Sequence, residues 1–186
     1  MKTPREIARR GIMLVVSSPS GAGKTTVTLA MLRALKNAGR KVVSAKSGPD
    51  YIDPKFHEAS SGKTCINLDA WAMTPETVRA LGRSHAEEAD LLIVEGAMGL
   101  FDGAANGKGS AADLASHLGV PVVLVVDCSK QAQSVAALVN GFRTFRADVT
   151  VAGVILNKVG SLRHEKMLRD ALAPLSVSVL GALPRM

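Results

Sequence analysis

The sequence predicts an α/β fold of three layers, in which helices cover both faces of a mostly parallel central sheet. Short apolar segments alternate with helix-prone segments along the chain, and short polar loops join them. Hydrophobic residues make up 47% of the composition but aromatic residues only 3%, so the core must be aliphatic. Aliphatic strands are typical of parallel sheets buried on both faces. With 186 residues, the chain is expected to form a single domain over 1–186.

The apolar segments define the predicted strands, and the segments between them define the predicted helices. The strands are expected at 12–17, 42–47, 91–94, 121–126, 149–156 and 177–180. The helices are expected at 25–38, 75–89, 111–118, 131–145 and 162–172. Thr74 suits the N-cap of the second helix, with Pro75 in its first turn, and Ser110 suits the N-cap of the third.

Two parts of the chain give no clear element. Residues 1–10 form a short polar lead that a helix would also accommodate. Residues 55–73 have an irregular pattern, for which we expect short helical pieces at most. Pro49 and Pro54 restrict both helix and sheet in the polar loop that precedes this segment.

A Gly-rich turn follows the first predicted strand and opens into the first predicted helix. It reads Ser18-Pro19-Ser20-Gly21-Ala22-Gly23-Lys24-Thr25-Thr26. This order is typical of P-loop nucleotide-binding proteins, in which backbone N–H groups and a helix N-terminus face a polyphosphate. The sequence therefore predicts a P-loop NTPase-type fold. The strict motif has glycine at the position of Ser18, and the alternative is an ordinary Gly/Ser turn between a strand and a helix.

The residues of this turn have predicted roles at a nucleotide. Lys24 would reach the β- and γ-phosphates, and the Thr25 hydroxyl would contact Mg²⁺. The residues expected to contact the nucleotide are Ser20, Gly21, Ala22, Gly23, Lys24, Thr25 and Thr26.

Further polar residues follow the predicted strands at their carboxyl ends, where parallel α/β sheets bind ligands. They are Lys46, Asp50, Asp53, Glu95, Asp127 and Asn157. Glu95 comes directly after four apolar residues, at the position of the second acidic group near Mg²⁺ in P-loop proteins. The alternative for Glu95 is a carboxylate that caps the next loop, and Asp127 equally suits a helix cap before residue 131.

Asp50 and Asp53 lie in one tight loop beside the expected phosphate site. Two carboxylates there would hold a second cation or orient an attacking group, although solvated, turn-forming aspartates are an equal alternative. Lys46 would neutralise phosphate charge in a transition state, and its alternative is a solvated lysine.

Asn157-Lys158 resembles the start of the Asn-Lys-x-Asp motif that reads guanine in GTPases, but Gly160 replaces the carboxylate. Asn157 would still bond an adenine edge through its amide, which favours ATP over GTP. The four histidines lack metal-ligand spacing, and we expect them at the surface or in packing. The two cysteines have no CxxC neighbour, so a zinc site is not predicted.

The net charge of +7 and the pI near 9.7 indicate a basic surface, which is either simply solvated or attracts an anionic small molecule such as ATP or a polycarboxylate. Aromatic residues are too scarce for the stacking used by many single-strand binders, so nucleic acid is not the expected partner. No signal-peptide pattern or apolar run of ~18 residues is present in the sequence. We expect a cytoplasmic protein without membrane attachment.

The chain contains several long motifs beside the predicted site. They are Gly48-Pro49-Asp50-Tyr51-Ile52-Asp53-Pro54, Asn67-Leu68-Asp69 and Val94-Glu95-Gly96-Ala97-Met98-Gly99-Leu100-Phe101-Asp102-Gly103, continued by 153–159 and 180–185. These motifs resemble the ATP-dependent amidation domain of cobyrinic or hydrogenobyrinic acid a,c-diamide synthases, whose fold is similar to dethiobiotin synthetase. The resemblance implies ATP- and Mg²⁺-dependent amidation of two carboxylates on a corrin ring, through an acyl phosphate, in cobalamin biosynthesis.

The resemblance also implies roles for individual residues. Lys24 would stabilise the transferring phosphoryl group. Thr25, Glu95 and Asp50 would hold Mg²⁺. Tyr51, Ile52 and Asp53 match the loop that faces the substrate carboxylate, and Asn157 matches the adenine-reading position.

The sequence departs from this family pattern in two respects. Family members usually carry a C-terminal glutaminase domain, which this chain lacks, so ammonia is expected from a missing domain or a separate glutaminase. In addition, residues 9–24 look more like guanylate kinase, which leaves a nucleotide kinase as an alternative. A non-catalytic partitioning-type ATPase is a third option, but the early loop lysine of those proteins is missing. The oligomeric state, including a homodimer, stays open.

Overall fold

The computed structural model describes residues 12–19 and 21–185, except for the side chains of Ile12 and Met13. In this part of the chain, seven parallel strands form one sheet in the order β3-β2-β4-β1-β5-β6-β7. The strands are β1 Ile12–Ser18, β2 Val42–Ser47, β3 Cys65–Leu68, β4 Leu91–Gly99, β5 Val122–Asp127, β6 Val151–Val159 and β7 Ser178–Pro184. The helices are α1 Lys24–Asn37, α2 Asp53–Ser61, α3 Pro75–His85, α4 Ala111–Leu118, α5 Ser134–Thr144 and α6 Leu162–Leu172.

The central strands are buried on both faces. In β4, Leu92 and Val94 belong to one hydrophobic cluster and Ile93 to a second, because successive side chains of a strand point to opposite faces. The second cluster also contains Val27 and Leu32 of α1, which places α1 on that face. The layered α/β architecture and the aliphatic core that the composition predicts are therefore confirmed.

Two predicted helix starts are confirmed at the level of their caps. Thr74 Oγ1 accepts a hydrogen bond from Thr77 N at 3.3 Å and caps α3. Ser110 Oγ accepts from Asp113 N at 3.1 Å, and Ser110 N donates to Asp113 Oδ2 at 3.1 Å, which forms a capping box for α4. The third predicted helix, at 111–118, matches α4 at both ends.

The expectation for residues 55–73 is wrong. This segment contains most of the nine-residue helix α2 and the whole of strand β3. Pro54 does not prevent α2, because it lies in the first helical turn, where its missing N–H has no intrahelical partner to lose. Strand β3 has only four residues at the edge of the sheet, which is too short for a periodic signal.

Several predicted ends also shift. Strand β4 continues to Gly99 and therefore contains Glu95, and strand β6 continues through Asn157 to Val159. Helix α3 ends at His85 and α5 begins at Ser134, so both are shorter than expected. Cross-strand pairing extends these strands, because it aligns residues such as Asp127 and Asn157 irrespective of their polarity.

Candidate functional site

The candidate site lies at the carboxyl edge of the sheet, around the end of β1. Strands β2 and β4 align Lys46 with Glu95 in register. The loop after β1 leads into α1, and the loop after β2 leads into α2, so both helices begin at this edge. Because these strands are parallel, the edge collects most of the polar residues that the sequence predicts for the site.

The described part of the turn between β1 and α1 contains two glycines in a left-handed backbone conformation. Gly21 and Gly23 adopt φ angles of 77° and 80°, a left-handed region that favours glycine. Asn157 Nδ2 donates to Ala22 O at 2.9 Å and fixes the loop from β6. A Cβ atom on Gly23 would lie 2.8 Å from Asn157 Nδ2, so this contact requires glycine. The predicted contact of Ser20 falls outside the described residues.

Glu95 is at the centre of the polar cluster and has no solvent exposure. Its Oε1 accepts hydrogen bonds from Thr25 Oγ1 at 2.5 Å and from Lys46 Nζ at 2.9 Å. Its Oε2 accepts from His57 Nε2 at 2.7 Å. Burial alone would raise the pKa of Glu95, but these hydrogen bonds and the Lys46 charge lower it. Glu95 is therefore a buried carboxylate held in one orientation.

Lys46 is buried, which excludes the alternative of a solvated lysine. Its Nζ donates to Asp53 Oδ2 at 2.5 Å and lies 3.8 Å from Asp50 Oδ2. Burial alone would lower the pKa of Lys46, but hydrogen bonds to Asp53 and Glu95 raise it. Lys46 thus links the carboxylates of β4 and α2 at the end of β2.

Asp50 stabilises the turn after β2, which is one of the two roles expected for it. Its Oδ1 accepts from the backbone N–H groups of Ile52 and Asp53 at 2.9 and 3.1 Å. Asn67 Nδ2 donates to Asp50 O at 2.7 Å and holds the loop against β3. Asp50 Oδ2 is left beside the cluster, while Tyr51 and Ile52 project into solvent.

His57 is a site residue that the sequence did not indicate. It is fully buried on α2, where Nε2 donates to Glu95 and Nδ1 lies 3.5 Å from Cys65 Sγ. Burial opposes the charged imidazolium, but hydrogen bonds with Cys65 and Glu95 raise the His57 pKa to about 9. The position of His57 in the sequence gives no sign of this role, because only the fold brings α2 next to Glu95 of β4.

Lys24 begins α1 beside this cluster. Burial and the positive charge of Lys46 lower its pKa, and the carboxylates of Glu95 and Asp53 oppose this effect. Among residues 12–19 and 21–185, no carboxylate forms an ion pair with Lys24. Its ammonium group is therefore available to an anionic ligand of the loop.

Asp127 and Asn157 lie at the ends of β5 and β6. Asp127 Oδ2 accepts from Lys158 Nζ at 2.6 Å, and its Oδ1 accepts from Ser129 N at 2.8 Å. The alternative of a helix cap at Asp127 is wrong, because α5 begins only at Ser134. Asn157 Oδ1 accepts from Lys158 N at 2.9 Å, so both ends of its amide already have protein partners. Its contact with adenine stays a prediction.

The residues expected to hold Mg²⁺ offer a hydroxyl and two carboxylates, which is the all-oxygen set that this cation prefers. Thr25 Oγ1 donates to Glu95 and retains lone pairs, and Asp50 Oδ2 lies beyond hydrogen-bonding distance of Lys46. In the described ranges, no group of three or more His, Cys, Asp or Glu side chains has metal-binding geometry. The residues therefore suit a Mg²⁺ ion that takes further oxygen ligands from phosphates and water.

The described residues also include no helix that is long and apolar enough to cross a membrane.

Comparison with known proteins gives one family and close sequence relatives. The family described as CbiA, the CobQ/CobB/MinD/ParA nucleotide binding domain, matches residues 13–186. Hydrogenobyrinate a,c-diamide synthase of Brucella anthropi is 61% identical over 173 residues, which cover 92% of this chain and 40% of that protein. The synthase of the same name from Rhizobium meliloti is 57% identical over 173 residues, covering 93% and 40%. The chain thus spans about 40% of the length of these relatives.

Solved structures share the fold at low sequence identity. Chloroplast FtsY from Physcomitrella patens superposes with a TM-score of 0.68 at 18% identity, over 91% of this chain and 57% of that chain. The signal recognition particle 54 kDa protein from Aeropyrum pernix K1, in complex with GDP, gives 0.66 at 16% identity, over 100% and 43%. These likenesses confirm the predicted P-loop NTPase-type fold, and the sequence relatives confirm the resemblance carried by the motifs.

Proposed function

Because the chain belongs to the CobQ/CobB/MinD/ParA nucleotide binding domain family, we propose that it carries out the ATP- and Mg²⁺-dependent amidation step of hydrogenobyrinate a,c-diamide synthesis. The substrate is a corrin polycarboxylate, and the products are its a and c amides, ADP and phosphate. The observation that carries the proposal is the hydrogen-bonded cluster beside the phosphate loop, in which the buried Lys46 and Glu95 contact the partly exposed Thr25 and Asp53. The names of the relatives supply the substrate class.

The reaction has two steps. A carboxylate oxygen of the substrate bonds to the γ-phosphorus of ATP, while the bond from that phosphorus to the β–γ bridging oxygen breaks and ADP leaves. Ammonia then bonds to the acyl carbon, the carbon–oxygen bond to phosphate breaks, and the nitrogen gives up a proton to solvent. Phosphorylation is required because a free carboxylate has a poor leaving group, whereas an acyl phosphate has a good one.

The residues of the chain position these reactants. The Gly21–Gly23 backbone and the α1 N-terminus bind the phosphates, and the Lys24 ammonium contacts the transferring phosphoryl group. Thr25, Asp50 and Glu95 would hold Mg²⁺, which neutralises charge that develops on the phosphate oxygens. Lys46 fixes the orientation of Asp53 and Glu95 through its hydrogen bonds of 2.5 and 2.9 Å. Tyr51 and Ile52 face the substrate.

Ammonia comes from outside the described site. Neither cysteine lies in a Gly-x-Cys-x-Gly nucleophile turn, and the relatives are longer than this chain. We propose that ammonia is supplied from glutamine by a domain equivalent to the part of the relatives that this chain does not cover, or by a separate glutaminase.

The test is to incubate the chain with Mg²⁺, ATP, ammonia and hydrogenobyrinic acid, and to follow ADP and the amidated products by mass spectrometry. We expect ADP release that requires the corrin, and none when glutamine replaces ammonia. A parallel reaction uses cobyrinic acid to compare the two rings. Corrin-independent transfer of phosphate to GMP would instead identify a nucleotide kinase. Nucleotide turnover without any effect of either acceptor would identify a non-catalytic P-loop ATPase.

A further inference from the structure

Four large apolar side chains surround the carboxyl edge of the sheet and remain exposed. They are Tyr51, Ile52, Trp71 and Met98, which we call the apolar rim. Tyr51 is 82% exposed and Trp71 is 66% exposed, and both Ile52 and Met98 are more than half exposed. The chain has one tryptophan and one tyrosine, and both belong to this rim. Exposed apolar groups that gather beside a charged site indicate ligand contact.

The apolar rim opens onto two neighbouring cavities. One, of about 340 Å³, is lined by Trp71, Met98 and Lys108. The other, of about 280 Å³, is lined by Tyr51 and Ile52. Ser47, Gly48, Pro49 and Ala97 line both cavities. Since Ser47 follows Lys46 in β2 and Ala97 lies two residues beyond Glu95 in β4, this groove adjoins the polar cluster.

The position of Trp71 is fixed by its backbone. Asp69 Oδ1 accepts hydrogen bonds from Trp71 N at 2.8 Å and from Ala72 N at 3.2 Å. On the other side, a Cβ atom on Gly109 would lie 2.6 Å from Trp71 Cβ, so the glycine lets the loop after β4 pack closely against it. The exposed indole of Trp71 is therefore attached to a backbone segment that hydrogen bonds and packing hold in place.

Lys108 places a positive charge in the same groove, whose carboxylates, on Asp50, Asp69 and Asp102, each accept a hydrogen bond from a backbone N–H. Its N donates to Asn106 Oδ1 at 3.1 Å, and its O accepts from Ala104 N at 2.8 Å. No carboxylate of the described chain lies within ion-pair distance of its ammonium group. An exposed cation on a fixed backbone suits an anionic group of a ligand.

We propose that the apolar rim binds the face of the corrin macrocycle, with Trp71 and Met98 contacting the ring and Lys108 pairing with one of its peripheral carboxylates. The proposal rests on the proposed function, which requires a broad, partly conjugated ring that carries several carboxylates. A broad ring needs a wide apolar surface rather than a closed pocket, and aromatic and methionine side chains provide it. Contact with the ring would direct another carboxylate toward Lys24.

Binding can be measured apart from catalysis by titrating the chain with hydrogenobyrinic acid in an isothermal calorimeter, without ATP. We expect Trp71→Ala and Met98→Ala each to weaken binding about tenfold, and Trp71→Phe to retain most of the affinity. Lys108→Ala should weaken binding by about threefold to tenfold, with an effect that shrinks at high salt. Affinity for ATP should stay at the wild-type value in every variant, which also shows that each variant is folded.

The matched controls remove similar groups elsewhere. Phe145→Ala deletes a 70% exposed aromatic side chain just beyond α5, and Lys63→Ala deletes an exposed lysine near the opposite end of β3. Both should bind hydrogenobyrinic acid as tightly as the wild type. Sedimentation of each variant tests whether the rim joins two copies of the chain instead.

The possible failures differ in meaning. If the wild-type chain binds ATP but no hydrogenobyrinic acid, the proposed function fails, and this inference fails with it. If the wild type binds the macrocycle and the rim variants bind it equally well, only the inference is overturned. It is also overturned if the rim variants change self-association and leave macrocycle binding unaffected.

Discussion

His57 Nε2 donates a hydrogen bond to Glu95 Oε2 over 2.7 Å, and neither side chain is exposed to solvent. The same carboxylate accepts from Lys46 and Thr25 on its other oxygen. A buried carboxylate with this many donors has little freedom to reorient, and losing a donor leaves charge uncompensated. The pair thus joins the helix that sequence analysis missed to the strand that carries the predicted metal ligand.

The His57–Glu95 contact predicts strong energetic coupling. A double-mutant cycle of His57→Gln and Glu95→Gln, followed by urea unfolding, should give a coupling free energy of about 1–3 kcal/mol. His85 serves as the control, since its Nε2 donates to Ser44 O at 3.0 Å instead of to a carboxylate. A cycle of His85→Gln with Glu95→Gln should give less than about 0.5 kcal/mol. Equal coupling in the two cycles would show that the His57 contact has no specific energetic role.

We expect substitution of Gly23 to weaken nucleotide binding more than backbone strain alone would. Gly23→Ala and Gly39→Ala both place a side chain at a φ near +80°, at a cost of about 1–2 kcal/mol in unfolding free energy. Only at Gly23 does the new Cβ meet Asn157, whereas Gly39 has open space. We expect Gly23→Ala to weaken ATP binding at least about tenfold, and Gly39→Ala to leave it unchanged. Similar affinities in calorimetry would contradict the contact.

Thr25 and Thr26 offer a matched pair in the first turn of α1. Thr25 donates to the buried Glu95, and Thr26 is exposed. Thr25→Ala should weaken ATP binding about tenfold in Mg²⁺ and much less in EDTA, because the hydroxyl is expected to act through the cation. Thr25→Ser should restore the affinity, and Thr26→Ala should have a smaller effect. The same loss in EDTA would exclude a role at the cation.

The Asp127–Lys158 pair predicts a small loss of stability in acid. Burial alone would raise the Asp127 pKa, but hydrogen bonds from Lys158 and Ser129 lower it to about 2. A lowered pKa in the folded state stabilises the fold above the ordinary value of 3.8, and this contribution disappears as the pH falls through 2. Lys158→Met should therefore lower the unfolding free energy at pH 5 by less than about 1 kcal/mol, and by less still near pH 2. The charge-matched control is Lys130→Met, at an exposed lysine. In urea titrations, its effect on the unfolding free energy should be the same at pH 5 and near pH 2.

Cys128 should be an unreactive thiol in the folded protein. It has no solvent exposure, and burial together with the Asp127 charge raises its pKa to about 11. Since the thiolate is the reactive form, iodoacetamide at pH 8 should leave Cys128 unlabelled while it labels both cysteines in urea. Peptide mass spectrometry distinguishes Cys128 from Cys65. Rapid labelling of native Cys128 would contradict its burial.

Local patterns predict the parts of the fold that have local causes. The caps at Thr74 and Ser110 were readable because an N-cap depends on residues within one helical turn. The Gly-rich turn was readable because few residues other than glycine adopt its backbone. Helix α2 and strand β3 were not readable, because α2 begins with Asp-Pro and β3 owes its conformation to pairing with β2.

By itself, the sequence determined the layered parallel fold, the phosphate loop and the family, since these depend on periodicity, glycine placement and long motifs. The tertiary structure alone decided that Lys46 is buried between Asp53 and Glu95 and that His57 contacts the same carboxylate. It also decided that Asn157 holds the phosphate loop across the sheet. The physical reason is that these contacts join residues that lie 7, 49, 38 and 135 positions apart. Their hydrogen bonds form only where strand order brings the residues to one edge.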